Sequence, residues 1–154
     1  MNIVKSINKS LTDITYDRDF YAWLLLSAQL LRERRFSELD IENIAEELEG
    51  MARNDKRELI NRFALLLAHL LKWQFQTQKR SMNWKGTIKE QRKRITLLLK
   101  DSPSLKYEIE DKIHDAYELA IIMAAHETGI DEEVFPQNCA YSLTELLDSE
   151  FYPD

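Results

Sequence analysis

His114 follows Asp111 by three residues, a spacing that on a helix sets an imidazole and a carboxylate on one face, as carboxylate-bridged iron sites do. Such a centre needs a second pair and further glutamates. Glu46 and Glu49 are the conceivable partners, and solvated surface acid is their ordinary reading. His69, within ALLLAHLLKW, has the chemistry of a buried acid, base or metal ligand. No second histidine falls on its face, so a core or boundary imidazole bonded to a carbonyl or carboxylate is expected instead. His126 and Glu127 stand just before Gly129 at a predicted helix end, where an imidazolium suits the helix dipole. Cys139 has no basic neighbour in sequence to lower its pKa, and an inert thiol is expected. There is no glycine-rich phosphate loop and no serine in a nucleophile elbow. No catalytic residue, cofactor or metal ligand is therefore assigned.

What remains is electrostatic. Counting Lys and Arg against Asp and Glu, residues 1–78 hold 11 and 12, residues 79–100 hold 8 and 1, and residues 101–154 hold 2 and 14. Opposite blocks in a small protein most often attract each other or form solvated faces. The alternative is an outside polyanion meeting Lys79, Arg80, Lys85, Lys89, Arg92 and Lys93, with Trp73, Phe75 and Trp84 near enough in sequence to stack on bases. The net charge of -6 counts against that alternative, since nucleic-acid domains are usually basic overall.

The elements that must position these residues read as helices. From Asp40 to Gln76, apolar residues recur at three- and four-residue intervals: first Ile41, Ile44, Ala45, Leu48, Met51 and Ala52, then Leu59, Phe63, Leu66, Leu67, Leu70 and Leu71. Asp40 is placed to cap the start. Arg53 to Glu58 offers nothing apolar, so the pattern either breaks there or crosses solvent; a continuous helix, about 55 Å long at 1.5 Å per residue, is favoured, with only Gly50 arguing for a bend. A rod of that length makes the domain elongated or pushes one end into a partner.

Before it, Asp17 to about Arg35 reads as a helix with acids first and bases last, and residues 1–15 as a docking segment carrying Ile3, Val4, Ile7 and Leu11. After it come a helix from Trp84 to Lys100, a helix started by Ser102 and Pro103 and ended by Gly129, and a short last helix from Leu143 to about Asp148, capped by Ser142 and Glu145. Residues 16–154 form one expected domain.

Composition agrees with an all-α bundle of about four main helices around the long central one, with short terminal pieces. Three glycines and three prolines leave little punctuation for sheet turns, and the 44% apolar fraction suffices for a core. A single cysteine excludes an intramolecular disulfide and suits a reducing, cytoplasmic setting. No signal-peptide core or bilayer-length apolar run is visible.

DFYAWL at Asp19, LDIENIAEELEGM at Leu39, LLAHLLKWQFQ at Leu66, WKGTIKEQRKRI at Trp84, DSPSL at Asp101, the ETG turn at Glu127 and the FP at Phe135 together make a pattern. In order and spacing it resembles the bacterial, chiefly cyanobacterial, family called domain of unknown function 29, over about Tyr16 to Pro153. The resemblance implies a small helical protein and supplies no catalytic residues to carry over. The expected role is a protein-binding or regulatory module, with a protein partner or a homo-oligomer. Nucleic-acid association through residues 79–100 is the first alternative, and an enzyme or metal-binding bundle the second.

Overall fold

A computed structural model describes residues 13–154, and every regular element among them is helical. The helices are α1 (Phe20–Arg32), α2 (Ile41–Phe75), α3 (Met82–Asp101), α4 (Ile109–Thr128) and α5 (Leu143–Leu147), an all-α bundle as expected. Of the N-terminal docking segment, residues 1–12 lie outside the described residues.

Helix starts follow from side chains that accept otherwise unpaired amides. Asp19 accepts from the Ala22 amide at 3.1 Å, so α1 begins after Asp17. Asp40 accepts from the Asn43 amide at 3.4 Å, and Ser81 from the Trp84 amide at 3.2 Å, two residues ahead of the expected start of α3. At α5 the Ser142 and Glu145 side chains each accept the other's amide, at 3.2 and 2.7 Å. Gly129 ends α4 at φ 73°, its amide donating to the Ala125 carbonyl at 2.8 Å; this left-handed backbone favours glycine.

Helix α2 runs for 35 residues without a break at Gly50. Every residue from Met51 to Glu58 is exposed, so its own backbone hydrogen bonds and surface pairs carry the helix across solvent. Arg53 reaches Glu46 at 2.7 Å and Glu49 at 3.9 Å, and Arg62 reaches Glu58 at 3.3 Å.

The segment after Ser102 departs from its expectation. Pro103–Lys106 is one 3-10 turn, Ser102 makes no side-chain cap, and the α-helix starts only at Ile109, after Glu108 at φ 50°. The turn lets both Leu105 and Ile109 pack on the core. It leaves the Tyr107 carbonyl outside a helix ladder, and the buried Lys112 ammonium donates to it.

Contacts divide the chain at the polar stretch of α2, into residues up to Arg53 and residues Asn54–Asp154. In the second unit, Leu59, Phe63, Leu66, Leu67, Leu70 and Leu71 of α2 are buried with Ile88, Ile95 and Leu99 of α3, and with Ile113, Ala116, Tyr117, Ala120 and Ala124 of α4. Among its described residues the first unit buries Leu30 and a small cluster, Ile14, Ala22 and Trp23, packed by Tyr16, Leu26 and Ile44. Its share of α2 corrects the sequence reading: Ile41, Leu48 and Met51 are 62%, 62% and 64% exposed.

Candidate functional site

Along α3, Ile88, Arg92, Ile95 and Leu99 fall on one face at four, three and four residues, and all four are buried. Arg92 therefore points inward. Its exposure is 5%, and its guanidinium reaches backbone carbonyls around the last helix: Nε donates to Leu146 at 2.8 Å, and Nη2 to Phe151 at 2.7 Å and to Glu145 at 3.4 Å. The Tyr152 ring lies 5.5 Å from its Cζ. Nη1 is buried without a hydrogen-bond partner. Burial pulls the Arg92 pKa down, because the charged form loses water that carbonyls only partly replace.

An open groove of about 430 Å³ adjoins this residue, lined by Lys89, Arg92, Lys93, Thr96, Leu147 and Ser149. The expected basic block is thus divided. Lys79, Arg80, Lys85, Lys89 and Lys93 are exposed, whereas Arg92 is occupied inside the fold. Arg80 donates to the Trp73 carbonyl at 2.8 Å and lies 5.0 Å from the Trp73 ring, with Lys85 5.4 Å from the same ring. The aromatics that could have stacked on bases are committed elsewhere. Trp73 is buried, Phe75 packs edge-on against Phe135 at 5.2 Å, and Trp84 is half-buried under the Lys72 ammonium at 4.8 Å.

His69 is buried, and its Nδ1 lies 3.0 Å from the Leu65 carbonyl, the bond expected of a core imidazole. Its pKa is pushed down, first by burial and then by the Lys72 charge. Lys72, itself 5% exposed, is paired with Glu127, and that hydrogen bond holds the Glu127 carboxyl below its usual range. His126 is exposed. So are Asp111 and His114, and His114 Nε2 stands 3.6 Å from Glu118. Glu46 and Glu49 both turn to Arg53. Burial raises the pKa of the Cys139 thiol, which donates to the Tyr141 carbonyl at 3.5 Å. Among the described residues no three of His, Cys, Asp and Glu gather closely enough to hold a metal ion.

Three buried cations, Lys72, Arg92 and Lys112, were not anticipated as interior groups. For Arg92 a signal existed, since it fills the i+4 position between Ile88 and Ile95. For Lys72 and Lys112 the partners, Glu127 and the Tyr107 carbonyl, are set by the fold.

The family described as Domain of unknown function DUF29 matches residues 15–152. No curated protein and no solved structure matches the chain. No helix among the described residues is long and apolar enough to cross a membrane.

Proposed function

The chain belongs to the DUF29 family, and we propose that it is a binding or regulatory module that acts through protein contacts, with the first turns of α2 as its docking face. One observation carries this. Ile41, Leu48 and Met51, with exposed Ala45 and Ala52, make an uncovered apolar stripe at helical spacing. Such a stripe is the helix-in-groove or helix-on-helix type of surface.

The partner that fits is a second copy of the chain. Glu42, Glu46, Glu47 and Glu49 come first along this helix, and Arg53, Lys56 and Arg57 follow. An antiparallel second copy covers both stripes about one two-fold axis and sets Glu42 of each helix toward Lys56 and Arg57 of the other, while Glu46 and Glu49 stay with Arg53 of their own helix. The small side chains at Ala45 and Ala52, both exposed on the stripe, permit a close approach. A cytoplasmic setting fits the single free Cys139.

Light scattering on the eluting full chain tests the reading. A dimer of the 18.2 kDa chain is expected, and Leu48→Glu combined with Met51→Glu returns it to monomer while leaving the helical circular dichroism unchanged. A wild-type chain that stays monomeric at the highest soluble concentration overturns it.

A further inference from the structure

Arg92 takes no part in the protein-contact reading, and its surroundings pose a separate question. A guanidinium that is 5% exposed normally faces a carboxylate, yet Arg92 rests on three neutral carbonyls and keeps Nη1 without a partner. Lys89 and Lys93, one turn apart on the exposed side of α3, line the same groove. Among the described residues no carboxylate forms an ion pair with any of these three cations. Three positive charges within five residues of one helix, around an open groove of about 430 Å³, have no carboxylate in ion-pair contact, and Asp148 acts on Arg92 only from farther off.

We propose that this groove binds the phosphate of a small organic phosphate. Lys89 and Lys93 make the contacts at the rim; the Ser149 hydroxyl donates to Glu150. Arg92 beneath them supplies a fixed positive charge that burial leaves weakly screened. A dianion matches several cations better than a single carboxylate does. Leu147, the Thr96 methyl and the aliphatic stems of the two lysines give the nonpolar part of the ligand a wall.

The acids on the adjoining segment limit the size of the ligand. Asp148 accepts the Glu150 amide at 2.9 Å, and Glu150 accepts from the Ser149 hydroxyl at 3.4 Å. An isolated phosphate avoids them, whereas a nucleic-acid strand would bring its next phosphates against them and against a chain of net charge -6.

The test is a titration of the isotope-labelled full chain, followed by amide resonances, with inorganic phosphate and phenyl phosphate against sodium chloride at matched ionic strength. Saturable shifts confined to residues 89–96 and 145–151 are expected, with phenyl phosphate the tighter probe. Lys89→Ala combined with Lys93→Ala changes only exposed side chains, so it keeps the fold while lowering affinity about tenfold or more. The proposal is overturned by shifts that sodium chloride reproduces, by an undiminished response in the double variant, or by binding of single-stranded DNA without binding of either small phosphate.

Discussion

The two ends of α2 follow the same apolar spacing and meet opposite fates. Beyond Leu59 the stripe is closed over by α3, α4 and the C-terminal segment, and Leu59, Phe63, Leu66, Leu67 and Leu70 have no exposed surface. Before Arg53 the stripe lies open. The described residues of the first unit hold eight of the fourteen exposed large apolar side chains, although they are much the fewer. Periodicity therefore establishes that a helix has an apolar face, and something outside the helix decides whether that face is covered. The second unit covers its own. The first does so in part, around Trp23, and its open remainder is what motivates the docking proposal.

Substitutions should separate the two ends sharply. Phe63→Ala, in the closed part, should destabilise the chain by about 3–5 kcal/mol in chemical denaturation, since the ring leaves a cavity. A loss no greater than that of a surface substitution would mean that the second unit is not the stable core described above.

Arg92→Ala should come next, at about 2–3 kcal/mol, because it deletes three charge-assisted bonds to carbonyls. Hydrogen exchange should quicken first in residues 143–152. Uniform quickening along the chain would show that Arg92 does not fasten this segment in particular.

The effect of acid should also come from the second unit. His69 has a folded-state pKa below its ordinary 6.5, so the unfolded chain takes up its proton first, and stability should fall as pH drops below about 6.5. Glu127, depressed below 4.5, should add a second loss as pH falls through that lower range. In His69→Gln the upper limb of the stability profile should flatten while the lower one persists. If the profile is unchanged, His69 titrates alike in both states.

The smallest effect on the monomer should be that of Leu48→Ala, within about 0.5 kcal/mol, because the side chain is already in water. Self-association should weaken all the same. A large loss of monomer stability would show that this stripe is covered within the chain itself.

Much of the fold could be read in the chain. Asp40, Ser142 with Glu145, and Gly129 mark ends through local bonds that any surrounding permits, and the Ile88, Ile95, Leu99 spacing marks a buried face. Ser102 and Pro103 misled because Pro at a first position starts a 3-10 turn as readily as an α-helix, and Ser102 makes no side-chain cap there. The basic block misled at Arg92, where residue type suggested surface and position dictated interior.

The sequence alone determined that this is a helical protein, which faces its helices present, and that opposite charges lie in separate blocks, because caps, periodicity and charge order are properties of neighbours along the chain. Tertiary structure decided which stripe is closed and which stays open, which of six cations is withdrawn from solvent, and that Lys72 meets Glu127. Those outcomes depend on residues distant in sequence reaching the same place, and no local spacing records that.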